Sequence, residues 1–324
     1  MSGKEWEVAG GSLGYEVRDG KAVVTGFQGE ACEVEVPRRM GDFMVAALDK
    51  KAFLSRKRLR RVSLPDTLEE VGDWAFAYCG GLREVRLPEK ALRFGKDVFL
   101  ECGALQRVTI YGGKPGVRNA AGLSGNAEEP RDAAEPYGDA EKPPGVAELL
   151  AAAVTALDSY YLLNAEEAGS REWFARWDAR LVSALRTPDT EGYSRQVLCG
   201  EEDYGSTDLA AYTGGRRKEK ARLALLRLLY PEGSSPALRK ELEEYLLTHT
   251  AGCGTDEAWR VILEEHGGDR AYYGLFAELG CVNGENLERI LADVGEDFPE
   301  MKAYFLGGSL GSAGGKDYFA DLEL

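Results

Sequence analysis

From Val62 to Val108 the apolar positions of the chain recur as a block. Val62-Ser-Leu-Pro65 is followed by Val71-Gly72, Ala75-Phe76, Cys79 and Leu82, and Val85-Arg-Leu-Pro88 then starts the same series again. The offset is 23 residues: Pro65 to Pro88, Phe76 to Phe99, Cys79 to Cys102, Leu82 to Leu105, Val85 to Val108. A repeat of that length predicts a solenoid, whose units bury their apolar faces only by stacking. Alternation within Val62–Leu64, Val85–Leu87 and Val108–Ile110 predicts strands with these residues inward, so the residues between them point out.

Before this block, Tyr15-Glu-Val17, the Asp19-Gly20 turn and Ala22-Val-Val24 predict a hairpin, with Val34-Glu-Val36 a further short strand. The hairpin is expected to cover the open N-terminal end of the stack. Pro37 to Val62 is a longer first unit, with Leu48, Ala52-Phe53 and Leu59 in register and Arg56 in the cysteine position. A loop near Arg38 to Asp42 is expected to absorb its extra residues. Past Tyr111, which stands where the repeat would place proline, the pattern stops. Residues 112–145 are rich in Gly, Pro, Ala and acid, a composition that predicts a flexible linker.

The periodicity is helical from Val146 onward. Helices are expected around Leu149–Tyr161, Trp173–Leu185, Lys218–Tyr230, Pro236–Leu247, Asp256–Glu265, Arg270–Leu279, Glu285–Asp293 and Pro299–Leu306. At an offset of 28, Gly252-Cys253 matches Gly280-Cys281 and Ile262-Leu263 matches Ile290-Leu291. The helical half weakly resembles ankyrin-like stacks, without their Thr-Pro-Leu-His signature. Either a degenerate helical repeat or an irregular bundle satisfies the pattern.

The register of Leu64-Pro65, Leu68, Val71-Gly72, Ala75-Phe76, Cys79, Leu82 and Val85 resembles the leucine-rich repeat of the bacterial BspA-like (Treponema pallidum type) family, over about a third of the chain. That resemblance implies a right-handed stack with a parallel sheet, used for protein–protein interaction and often found at bacterial surfaces. The expected fold is multidomain: a short leucine-rich repeat solenoid with a hairpin cap (1–112), a linker (113–145) and an all-α domain (146–324).

Charge divides along the same line. Residues 1–112 hold 18 Lys and Arg against 17 Asp and Glu, leaving 22 against 38 for residues 113–324. The acidic second half repels phosphate backbones and anionic headgroups, so nucleic acid and membrane surface are poor partners for it. No run approaches the length of a membrane span, and Met1-Ser-Gly-Lys-Glu-Trp6 lacks the apolar core of a signal peptide. A cytoplasmic location is expected, with the cell surface the alternative for a trimmed chain.

Candidate chemistry is sparse. Cys32, Cys79, Cys102, Cys199, Cys253 and Cys281 contain no CxxC pair, so reduced structural thiols are expected. Gly10-Gly-Ser12-Leu-Gly14 and Gly307-Gly-Ser309-Leu-Gly311 fit a nucleophile elbow only formally, because Ser12 precedes a strand and no histidine follows Ser309. Gly315-Lys316 is no phosphate loop, and His249, Cys253, His266 and Cys281 have no usual zinc spacing. No cofactor, metal or catalytic residue is expected, and the protein is read as a binder rather than an enzyme; the alternative is a regulatory or recognition subunit whose helical domain meets an enzyme or a nucleic-acid-handling partner.

The outward residues of the predicted sheet form two columns: Glu33, Arg61, Glu84, Arg107 and Glu35, Ser63, Arg86, Thr109. Either the alternating charges satisfy one another, or Arg61, Ser63, Glu84, Arg86, Arg107 and Thr109 make the contact surface for another protein. The basic run Arg56-Lys57-Arg58-Leu59-Arg60-Arg61 is read as the solvated side of a turn entering a strand.

Overall fold

The computed structural model describes residues 4–112, 142–193 and 208–312. These fall into two compact units, Met1–Trp177 and Asp178–Leu324.

The first unit is a coil with two sheets. Strands β4 (Glu33–Glu35), β7 (Arg61–Ser63), β9 (Glu84–Pro88) and β11 (Arg107–Tyr111) pair in parallel, in the order β11-β9-β7-β4. This is the sheet the 23-residue period predicts. A second sheet, not foreseen, runs through β1 (Lys4–Val8), β2 (Gly11–Arg18), β3 (Lys21–Gly29), β6 (Phe43–Leu48), β8 (Glu70–Val71) and β10 (Arg93–Phe94). Its strands β8 and β10 are two residues long. So short a strand leaves no alternation to detect.

The hairpin at Asp19-Gly20 is present as β2 and β3, and β1 adds a third antiparallel strand. The cap joins the second sheet alone, because β3 pairs in parallel with β6. The insertion in the first unit is not a plain loop: β5 (Arg39–Met40) folds back on β6 around Gly41, whose φ of +62° suits glycine.

Each coil repeats the same interior. Phe27, Phe53, Phe76 and Phe99 stack at centroid distances of 5.8, 5.0 and 5.6 Å and are all buried. Phe27 thus continues the phenylalanine column into the cap. Such pairs add about 0.5–1.5 kcal/mol each beyond their burial. The cysteines have a task in this column. The Cys79 thiol donates to the Phe53 carbonyl and the Cys102 thiol to the Phe76 carbonyl, both at 3.0 Å. Burial pushes Cys79 up to about 11 and Cys102 up to about 12, so both remain protonated donors at neutral pH.

The turns between sheets hold two more columns, Lys51/Trp74/Asp97 and Ser55/Tyr78/Glu101, all with positive φ. Left-handed geometry in such residues costs about 1–2 kcal/mol each. Hydrogen bonds between coils offset that cost, from Lys51 N to Asp73 O (3.0 Å), Trp74 N to Lys96 O (2.9 Å) and Tyr78 N to Leu100 O (2.7 Å). Gly72 is required by the same closeness, since a Cβ there would lie 2.7 Å from Lys50 N.

The far end of the coil is closed by α1 (Val146–Thr155) and a 3-10 turn (Tyr160–Leu162). The expected single helix through Tyr161 instead ends at Thr155, and Asp158, with a φ of +46°, redirects the chain before the 3-10 turn. Helix α1 packs against β11, so it belongs to the solenoid unit. Lys142 pairs with Glu89 at 2.7 Å, and the Trp177 indole donates to Leu149 O at 3.0 Å from helix α2 (Arg171–Arg186). The expected linker lies almost entirely outside the described residues.

The second unit is helical: α3 (Leu209–Leu229), α4 (Pro236–Thr248), α5 (Glu257–His266), α6 (Arg270–Glu278), α7 (Leu287–Val294) and α8 (Pro299–Ser312). Ser235 caps α4 by accepting from Leu238 N, with Pro236 in the first turn. Helix α3 begins nine residues before its expected start at Lys218, because Asp208 caps it and Gly214-Gly215 is carried inside the helix. The turns of the 28-residue repeat are bound together: Thr250 donates to Cys281 O (2.9 Å) and Asn286 to Ala251 O (3.1 Å). The Trp259 indole also reaches Asp293 at 2.8 Å, tying α5 to α7.

Candidate functional site

The four-stranded sheet brings the predicted columns together in the expected register. Glu33 lies opposite Arg61, Arg61 opposite Glu84, and Glu84 opposite Arg107, while Glu35, Ser63, Arg86 and Thr109 form the adjacent column. The side chains are not independent. Arg61 bridges its neighbours, with Nε 2.9 Å from Glu84 and Nη1 3.2 Å from Glu33. Hydrogen bonding to Glu84 holds the Arg61 guanidinium above its ordinary pKa. Thr109, expected among the outward contact residues, is instead only 8% exposed: it donates to the other Glu84 oxygen at 3.1 Å and lies on β11, against which α1 packs. Arg107 reaches Glu148 at the start of α1, 3.4 Å away.

One residue of the face was missed. Tyr111 ends β11 in the repeat's proline position, and its hydroxyl donates to the Leu64 carbonyl, two coils back. The ring therefore reaches across the end of β9, and Arg86 sits over it at 5.8 Å. The face has an aromatic ledge where alternation alone indicates only charge and hydroxyls. The signal was the break in the proline column.

Other motifs resolve structurally. Ser12 lies within β2, and Ser309 within the backbone of α8. His249 stacks on Tyr245 at 4.2 Å and His266 on Tyr272 at 3.6 Å. Among the described residues, no group of three or more His, Cys, Asp or Glu could hold a metal ion. Cys199 and Lys316 lie outside them. No helix among the described residues is long and apolar enough to cross a membrane.

In the second unit, the cations of α3 are matched by acids. Arg217 pairs with Asp189 (2.8 Å) and Glu257 (3.1 Å), Lys220 with Asp189 (2.6 Å), Arg222 with Glu265 (2.7 Å) and Arg227 with Asp178 (2.6 Å). Burial raises the Asp189 carboxyl, but hydrogen bonds from Lys220 and Arg217 outweigh it and leave the pKa lowered. This network ties α3 to the segments that carry Asp178, Asp189, Glu257 and Glu265.

Residues 44–118 match the family described as "BspA type Leucine rich repeat region (6 copies)". No curated protein matches the chain. Among solved structures, a Treponema pallidum leucine-rich repeat protein is 25% identical, over 32% of this chain and 49% of that one, with a TM-score of 0.25. A Faecalibacterium prausnitzii leucine-rich cell surface protein is 21% identical over 34% and 33%, with a TM-score of 0.27. A Bacteroides capillosus leucine-rich repeat protein is 22% identical over 33% and 99%, with a TM-score of 0.28. The chain thus spans about half the length of the first of these and a third of the second.

Proposed function

We propose that this chain, whose residues 44–118 are BspA-type leucine-rich repeats, is a non-catalytic recognition protein that binds another protein through the outward face of its four-stranded sheet. Repeats of this kind serve in general as interaction scaffolds. The observation that carries the finer reading is the Arg86–Tyr111 ledge beside the Arg61–Glu84–Arg107 column. Arginine and tyrosine are the side chains that dominate binding energy at interfaces, and here both are held in place by a rigid sheet. A tyrosine fixed to a carbonyl and an arginine stacked on it lose little freedom on binding.

The contact is polar, so affinity falls with salt. The surface comprises Arg61, Ser63, Glu84, Arg86, Arg107 and Tyr111, with Thr109 holding Glu84 by a hydrogen bond. The test is Arg86→Glu with Arg107→Glu in the full chain, measured against a protein captured with the wild type. Loss of capture at an unchanged melting temperature supports the reading. Unaltered capture removes the face from the account. A second reading makes the chain a recognition subunit whose helical unit meets the partner; the acidic balance of residues 113–324 favours it, and the same experiment separates the two.

A further inference from the structure

The basic run Arg56–Arg61 is not used up by the sheet face. Arg58 pairs with Glu30 at 2.8 Å, and Arg61 with Glu33 and Glu84. Arg56, Lys57 and Arg60 have no acidic partner among the described residues, and neither has Arg83 in the next coil. Arg60 and Arg83 occupy the same column, because Arg83 N donates to Arg60 O at 2.8 Å. Both are exposed, and the Arg56 Nε is buried without any acceptor.

Arg60 and Arg83 each stand one residue before a strand, β7 and β9, so two like charges follow one another from coil to coil, which is unfavourable. The adjoining Glu33, Arg61, Glu84, Arg107 column alternates in sign, so the fold matches charge where nothing else is required. At this corner no acid pairs with Arg56, Lys57, Arg60 or Arg83 among the described residues. Gly80 and Gly103 follow Lys57 at the 23-residue offset without a side chain, and a Cβ on either would meet nothing within 4 Å. Gly81 lets this coil close on the run itself, since a Cβ there would lie 2.2 Å from Lys57 O. Tyr78, 50% exposed, precedes Cys79 by one residue and stands one column over from Arg56. Arginine and an exposed tyrosine on the same stretch of the coil are residue types enriched at interface centres.

We propose that this corner, formed by Arg56, Lys57, Arg60 and Arg83 with Tyr78, docks a carboxylate-rich polypeptide segment of a partner protein. Charge complementarity selects the carboxylates. A polypeptide rather than an extended phosphate backbone is selected because the patch is only four cations wide and residues 1–112 around it are balanced, with 18 Lys and Arg against 17 Asp and Glu, too little for a phosphate track. Glu101, exposed in the next coil of the tyrosine column, bounds the patch and works against a longer phosphate track. The inference concerns a surface apart from the sheet face, and each can fail without the other.

The experiment is fluorescence anisotropy with the full chain and three probes: a labelled Glu-rich peptide, a single-stranded oligonucleotide, and phosphatidylglycerol-containing vesicles. The peptide binds at low salt and releases as salt rises. Arg60→Gln with Arg83→Gln weakens peptide binding about tenfold or more, while the melting temperature holds or rises because a repulsive pair has gone. Arg58→Gln, already neutralised by Glu30, changes binding by less than about twofold. Arg86→Gln with Arg107→Gln leaves peptide binding unchanged, which separates this corner from the sheet face. Absence of peptide binding at low salt, or binding indifferent to the Arg60/Arg83 pair, overturns the proposal. Tighter binding of oligonucleotide or vesicles, lost in the same double variant, overturns it in favour of a phosphate ligand.

Discussion

The hydroxyl of Tyr160 accepts the backbone N–H of Phe99 at 3.0 Å. In the preceding coils the equivalent N–H groups, of Phe53 and Phe76, donate to the carbonyls of Ala75 and Val98 in the next coil. The last coil has no successor, so the tyrosine supplies the missing acceptor. Burial raises Tyr160 to about 12, keeping the hydroxyl neutral. A repeat stack ends where its backbone donors find another partner.

Tyr160→Phe removes that acceptor and leaves a donor unpaired at the end of the core. The expected loss is about 1–3 kcal/mol, measured by urea denaturation of the full chain. Faster hydrogen exchange at the Phe99 amide should accompany it. Unchanged stability and exchange would show that the turn at Tyr160 does not cap the coil.

Phe76 is the third ring of the four-membered column and is fully buried. Phe76→Ala should cost about 3–5 kcal/mol. A change below 1 kcal/mol by the same assay would contradict the packing of the column.

The thiols give a prediction in pH. Burial raises Cys79 and Cys102 above the ordinary thiol value, so the folded state holds protons that the unfolded chain releases. Their stabilising contribution is complete below about pH 9 and is lost as pH climbs toward 11 to 12. Native labelling with iodoacetamide at neutral pH should modify Cys32 and Cys253, both exposed, and spare Cys79, Cys102 and Cys281. Rapid labelling of Cys79 would mean that the coil opens.

The 23-residue period was legible because every buried position of a coil must recur at that spacing. The cap at Tyr160 was not, since one hydroxyl meeting one amide leaves no periodic trace. Neither was the second sheet, whose two-residue strands Glu70–Val71 and Arg93–Phe94 carry no alternation. At the candidate site, alternation gave the two columns and their register. It could not give the bridging by Arg61 or the reach of Tyr111 to Leu64, which depend on side-chain length and rotamer. The helices of the second unit were placed by their apolar spacing, but the early start of α3 was hidden by Gly214-Gly215.

In the second unit, Arg227 is 0% exposed at its side chain and binds Asp178 through Nε at 2.6 Å and Nη2 at 3.1 Å. It also donates to the carbonyls of Tyr230 and Glu232. Asp178→Ala strands a guanidinium without its counter-ion, so a loss of about 3–5 kcal/mol is expected. Thermal unfolding of the full chain should show an early transition for this unit, and an unaltered melting curve would argue against the clip.

Recognition through the four-stranded sheet is tested most directly by hydroxyl-radical footprinting of the full chain, alone and saturated with its captured partner. Tyr111 is an oxidisable side chain on that face, partly exposed beside Arg86. Binding there should suppress oxidation of Tyr111 while Tyr161, 58% exposed elsewhere on the unit, is modified as before. Equal oxidation of Tyr111 in the free and bound states, with protection confined to the helical unit, would contradict it.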